Sequence, residues 1–209
     1  EEGFAENLGC NNWLVQSPSK RLIFNELYSD LLLNAKTENF KILDIGAGIN
    51  LAQKIIAAKN SYTIIDLLAH DKTESARKFC SENDINLLIG DWYHQLSKFK
   101  DIDVIICNDL FPNVDQRLQE FIQLALQHSP NAELRMSLTF YQKSRFYNVK
   151  RVDAEEFMCL RAWTGEDCMR ALEKAGIKLT RSQCTNFINF KESIFPNGRT
   201  VATLKCRFT

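Results

Sequence analysis

The stretch 41-KILDIGAGINLAQKIIAAK-59 decides the fold. An apolar run leads into two glycines, Gly46 and Gly48, separated by Ala47. An amphipathic run follows. The pattern predicts a strand, a tight bend and a helix. Glycines let the backbone turn sharply and let a ligand approach it closely. The helix after the bend points its N-terminus at that ligand. A phosphate-binding Walker loop needs Lys-Ser/Thr after its second glycine, and here Ile49-Asn50 follows. A dinucleotide loop wants a third glycine where Leu51 stands. Neither pattern expects the carboxylate of Asp44 two residues before the first glycine.

Further along, strand-like and helix-like runs alternate. KILDIG (41–46), YTIIDLL (62–68), INLLIGD (85–91), DVIICNDL (103–110) and AELRMSLTF (132–140) read as strands. Residues 50–59, 72–83 and 114–129 read as helices between them, and 18–35 as a helix ahead of the first strand. The strands are apolar almost throughout, which marks a parallel sheet covered on both faces. GEDCMRALEKAGI (165–177) reads as a helix ending at Gly176. The runs 178–190 and 199–208 read as two antiparallel edge strands joined by a turn at Pro196-Asn197-Gly198. The expected architecture is α/β, a three-layer sandwich around a mostly parallel seven-stranded sheet with an antiparallel edge. No repeat or low-complexity linker divides the chain, so residues 1–209 read as one domain. Residues 1–38 form a helical cap segment on a core of 39–209.

Length and composition fit this. The 209 residues are 45% hydrophobic and 25% charged, ordinary values for a globular protein. The net charge of zero hides an asymmetry: residues 1–134 hold 12 Lys/Arg against 19 Asp/Glu, and residues 135–209 hold 14 against 7. Such a bipolar surface can draw an anionic substrate to its basic side. The seven cysteines form no C-x-x-C pair, so neither a disulfide framework nor a metal site is expected. Reduced thiols fit a cytoplasmic location. No secretory leader is visible, and no run approaches the roughly 20 apolar residues of a membrane span.

Acidic residues recur at strand ends. Asp66 closes the second strand, 22 residues after Asp44, where an acid can accept two ribose hydroxyls. Gly90-Asp91-Trp92 closes the third, where an Asp can accept from an exocyclic amine and an aromatic ring can stack on a purine. Asn108-Asp109 closes the fourth. Each Asp alone reads equally well as a helix cap or a turn stiffener, and Trp92 as a core residue. Four of them along the one rim where open α/β sheets bind ligands favour a cofactor.

This constellation resembles the class I S-adenosylmethionine-dependent methyltransferases, through ILDIGAG, TIIDLL, LLIGDWY and DVIICNDLF in the family's order, over roughly residues 40–209. The resemblance implies a Rossmann-like fold with S-adenosyl-L-methionine as cofactor. Gly46, Ala47 and Gly48 would line its methionine and ribose side. Asp44 would orient the loop or meet the amino group. Asp66 would take the ribose hydroxyls with Leu67 beside it. Asp91 and Trp92 would recognise adenine, and Asn108 would border the methionine moiety. Asn108-Asp109-Leu110-Phe111 stands where amino-directed nucleic-acid members carry Asn/Asp-Pro-Pro-aromatic, without the prolines. Asp109 and His94 are the candidates for proton transfer. The segment 141-YQKSRFYNVKR-151 interleaves Lys143, Arg145, Lys150 and Arg151 with aromatics and suits a phosphate or carboxylate, with Tyr141, Arg145 and Trp163 walling the acceptor. The expected activity is methyl transfer to an oxygen or nitrogen of a small polar or anionic acceptor. An RNA or protein acceptor on 141–151, or a partner-binding module without catalysis, stand as alternatives. No membrane partner is expected.

Overall fold

The computed structural model describes residues 14–33, 39–150, 157–188, 195 and 198–207. Helix α1 (Pro18–Leu33) precedes β1 (Lys41–Ile45), α2 (Leu51–Ala57), β2 (Ser61–Asp66), α3 (Thr73–Glu82), β3 (Ile85–Ile89), the short α4 (Trp92–Gln95) and β4 (Val104–Cys107). Then come α5 (Leu118–His128), β5 (Glu133–Phe140), β6 (Arg145–Lys150), β7 (Phe157–Ala162), α6 (Gly165–Lys174), α7 (Arg181–Ile188) and β8 (Thr200–Arg207).

The main sheet runs β3-β2-β1-β4-β5-β8. All neighbours are parallel except β5 and β8, which pair antiparallel from Glu133↔Arg207 to Phe140↔Thr200. Successive strand residues point to opposite faces, so each strand feeds two cores. Ile42, Ile64 and Ile106 face α1, α2 and α3, with Leu27, Ile56 and Phe79. Leu43, Ile65 and Ile105 face α5 and α6, with Phe121, Ile122, Cys168 and Leu172. That double burial explains the apolar strands and produces the three layers. The order reverses at β1, so the exits of β1 and β4 diverge and leave a crevice at their carboxyl ends.

The described residues give the main sheet six strands where the sequence pattern predicts seven, because 181–188 is helical. Thr180 and Gln183 make a capping box: the Thr180 N–H donates to Gln183 Oε1 at 2.8 Å, and the Gln183 N–H donates to Thr180 Oγ1 at 3.3 Å. The T-x-x-Q signal outweighs the alternation of 178–190. Residues 189–190 and the expected Pro196-Asn197 turn lie outside the described residues. Within the 141–151 segment, residues 145–150 form β6, which pairs with β7 as a separate two-stranded sheet.

Candidate functional site

The bend after β1 takes the form its glycines allow, with φ of +67° at Gly46 and +58° at Gly48. A side chain at Gly46 would also meet Leu110 at 3.1 Å, so the exit of β4 packs directly on the bend. Almost every N–H of the bend already has an acceptor. Gly46 donates to the Ile65 carbonyl, Gly48 to Asp66 Oδ2 at 2.8 Å, and Ile49 to Asp71 Oδ2 at 3.0 Å. Asn50 caps α2 by accepting from Ala52, and its own N–H donates to Gln53 Oε1. A pyrophosphate would find these donors taken and carboxylates beside them. The bend suits a ligand that is positively charged and rich in hydroxyls.

Asp44 is wholly buried under this bend. Its carboxylate accepts from the Tyr28 hydroxyl at 3.0 and 3.1 Å and from the Tyr62 hydroxyl at 2.5 Å. Burial pushes its pKa up to about 7, although the Tyr62, Tyr28 and Gln53 hydrogen bonds pull the other way. Asp44 lies behind the loop and ties α1, β1 and β2 together.

Asp66 sits at the end of β2. One oxygen takes the Gly48 N–H and the other the Leu68 N–H, at 2.8 and 2.6 Å. Burial raises its pKa, and those two N–H groups offset part of the rise. Leu67 beside it is exposed. Asp91 caps α4 through the Tyr93 N–H and receives the Arg117 guanidinium at 3.0 and 3.1 Å. Trp92 corrects the expectation of a purine-stacking ring. It is buried edge-on against Phe111 and Phe121, and its Nε1 donates to Asp115 at 2.7 Å. The Arg117 guanidinium lies over its ring at 4.7 Å. Burial works against the Asp115 carboxylate, yet its Arg117 hydrogen bonds hold it below the usual range.

At the exit of β4, Asp109 adopts the left-handed region, φ +58°. Its N–H donates to Ser137 Oγ, whose hydroxyl donates to Asn108 Oδ1, both within 2.8 Å. Thr139 Oγ1 donates to Asp109 Oδ1 at 2.9 Å, Asn113 Nδ2 reaches it at 3.3 Å, and Arg199 Nη1 lies 3.4 Å from Oδ2. The Tyr147 hydroxyl of β6 donates to the Asn113 carbonyl. The Tyr141 and Tyr147 rings stand 6.3 Å apart, and Arg145 covers Tyr141 at 5.5 Å. The Tyr141 N–H donates to the Trp163 carbonyl. The expected residues thus fall into two groups joined by Leu110: the bend with Asp44 and Asp66, and the β4 exit with Asn108, Asp109, Tyr141 and Arg145. His94 is exposed, edge-on to Tyr93, and no described contact brings it to Asp109.

Several residues here escape a linear reading: Asp71, Gln53, Tyr62, Arg117, Asp115, Thr139 and Arg199. Gln53 alone had a local signal, as the fourth residue of the capping box that begins at Asn50.

No protein-family model matches the sequence, and no curated protein matches it. Solved structures do. Burkholderia thailandensis 1,6-didemethyltoxoflavin-N1-methyltransferase, with 1,6-didemethyltoxoflavin and S-adenosylhomocysteine bound, superposes with TM-score 0.55 at 13% identity, over 99% of this chain and 86% of that one. The [4+2]-cyclase SpnF gives 0.50 at 17% identity, over 76% of this chain and 56% of that one. Haemonchus contortus phosphoethanolamine N-methyltransferase 1 gives 0.42 at 18% identity, over 66% of this chain, which spans only 32% of that protein's length. The chain has the fold of the class I S-adenosylmethionine-dependent methyltransferases. A cyclase shares that fold, so the fold alone does not set the reaction.

Proposed function

We propose that this protein binds S-adenosylmethionine at the carboxyl ends of β1 to β4 and transfers its methyl group to an oxygen or nitrogen of a small polar or anionic acceptor. The observation that carries this reading is the Asp66 carboxylate. Each oxygen takes one backbone N–H, and a carboxylate oxygen has a second lone pair to offer. Two hydroxyls on neighbouring carbons match that pair of acceptors. The rest of the donor set fits the same cofactor. The bend carries Asp66 and Asp71 on its N–H groups, which favours a cation over a phosphate.

S-adenosylmethionine would supply an electrophilic methyl group on a positively charged sulfur, with a neutral thioether as the leaving group. This chain's residues then align and desolvate. The peptide groups of Gly46, Ala47 and Gly48 would line the methionine and ribose side, and Asn108 would border the methionine. Asp91, oriented by Arg117, and Leu67 frame the adenine. Asp109 takes the proton that the acceptor releases. In this reading residues 39–209 are the catalytic core, helix α1 caps it, and β6–β7 is an insertion over the acceptor side. Arg145 stacked on Tyr141, and Tyr147 turned toward Asn113, favour a small acceptor over an RNA or protein surface.

Calorimetry with S-adenosylhomocysteine tests this. The wild type is expected to bind below millimolar concentration. Asp66→Asn, with an unchanged melting profile, is expected to bind about 10–100-fold more weakly, the value of one charge-assisted hydrogen-bond set. Equal affinities for the two proteins would falsify the assignment.

A further inference from the structure

Strand β5 runs past the end of its parallel neighbour. The β4–β5 ladder closes at Cys107↔Met136, and β5 continues to Phe140. Alternate residues of a strand share a face. Leu134, Met136, Leu138 and Phe140 enter the core that α5 and α6 cover, so Ser137 and Thr139 turn to the opposite face. Both are buried. Buried hydroxyls need partners, and these two find theirs at the exit of β4.

Ser137 Oγ accepts the Asp109 N–H at 2.7 Å. A backbone N–H can only donate, so the serine oxygen is the acceptor there and its own proton must go elsewhere. That proton goes to Asn108 Oδ1 at 2.8 Å. The pairing decides which way the Asn108 carboxamide is turned. With the amide reversed, Nδ2 would stand against a buried hydroxyl whose proton had no acceptor. Oδ1 therefore faces Ser137, and Nδ2 faces away from it. Among the described residues no group accepts from Nδ2, and the atom is not buried. Its two N–H groups open at the carboxyl end of β4, where the crevice lies.

We infer that Ser137 is a positioning residue that makes Asn108 a donor toward the ligand, so that Asn108 binds an oxygen lone pair and refuses an ammonium. This rests on the methyltransferase reading above and deepens it. The methionine moiety of the cofactor offers a carboxylate and an ammonium. An outward amide nitrogen suits the carboxylate, whereas the ammonium has no lone pair and would set donors against donors. An oxygen carried by the methyl acceptor has the same chemistry. The two hydroxyls of β5 thus divide their work. Ser137 turns a donor outward at Asn108, and Thr139 donates to the Asp109 carboxylate at 2.9 Å.

The test compares S-adenosylhomocysteine with its decarboxylated analogue, by calorimetry and by NMR of the Asn108 side-chain amide. S-adenosylhomocysteine is expected to shift that amide and to bind about tenfold more tightly than the analogue, which places the oxygen on the cofactor. A shift that appears only when acetate is added to the S-adenosylhomocysteine-saturated protein places it on the methyl acceptor. Ser137→Ala frees the amide to turn, and is expected to weaken the oxygen-bearing probe selectively. A merely structural role would weaken both adenosine ligands alike. Asn108→Asp keeps the Ser137 bond and turns an acceptor outward, so it is expected to reverse the preference. Should Ser137→Ala fail to fold, Asn108→Asp carries the comparison. An Asn108 amide that no probe shifts, or preferences unchanged in both variants, overturns this inference and leaves the cofactor reading standing. Binding of neither adenosine ligand overturns the cofactor reading and this inference with it.

Discussion

Asp44 shows how one residue serves both fold and site. Its carboxyl is wholly buried between two phenols, and burial lifts its pKa from 3.8 to about 7. The folded state therefore holds a proton that the unfolded chain gives up near pH 4. Stability from this group is complete below pH 3.8 and is lost as pH rises through 7. At about 1.36 kcal/mol for each pH unit, the loss is on the order of 4 kcal/mol. Asp44→Asn, which cannot ionise, is expected to remove this slope: the difference in unfolding free energy between variant and wild type grows in the variant's favour from pH 4 to pH 8. Urea titrations across that range check it, and parallel curves for the two proteins would refute it. Asp44, Gly46, Gly48 and Asp66 are legible in the sequence because a short motif and a fixed spacing place them together. Arg117, Asp71 and Arg199 are not, since their neighbours are set by which strands lie side by side. Trp92 misleads for a related reason: standing beside a strand-end carboxylate says nothing of which way the ring turns.

Among the elements, α1 carries two polar anchors onto the sheet. Tyr28 reaches Asp44 in β1, and Asp30 receives Arg135 of β5 through two hydrogen bonds. Arg135 is almost fully buried and also holds the Leu27 carbonyl and Glu133. Lys205 of β8 adds a second cation to Asp30. A buried guanidinium that loses one of its two carboxylates leaves N–H donors unpaired, so Asp30→Ala is expected to lose about 2–4 kcal/mol even with Glu133 in place. The double variant Asp30→Ala with Arg135→Met is expected to recover a large part, since an apolar side chain of similar volume tolerates burial. Equilibrium denaturation of the two variants separates this from simple loss of contacts, which would make the double variant the weaker. The five parallel strands and the helices between them are legible in the sequence because double burial makes the strands apolar and the helices amphipathic. Helix α7 is not, because 178–190 alternates like a strand while its capping box occupies only two residues, Thr180 and Gln183. Strands β6 and β7 are obscured by charge: Arg145, Lys150 and Arg161 stand among their apolar positions.

At the scale of the whole molecule, the charge asymmetry of the sequence falls along the sheet. Residues 1–134, with seven more acids than bases, build β1 to β4 and the bend. Residues 135–209, with seven more bases than acids, supply almost all of β5 and the whole of β6 to β8, including Arg145 and Arg199. In the proposed reading the donor would lie toward the acidic part of the chain and the acceptor toward the basic part. A donor with a positive sulfur and an acceptor with a negative group would each meet the complementary side. The same division predicts what the donor side refuses. Adenosine triphosphate shares the adenine and ribose of the proposed cofactor but would bring its phosphates against Asp66 and Asp71, whose oxygens already hold the bend's N–H groups. Like charges about 6 Å apart at an effective dielectric near 20 repel by roughly 3 kcal/mol per pair. Adenosine triphosphate is therefore expected to bind at least about 100-fold more weakly than S-adenosylhomocysteine. Competition calorimetry decides it. Comparable affinities would mean that the bend opens its N–H groups to phosphate, and the carboxylates would lose the discriminating role assigned to them.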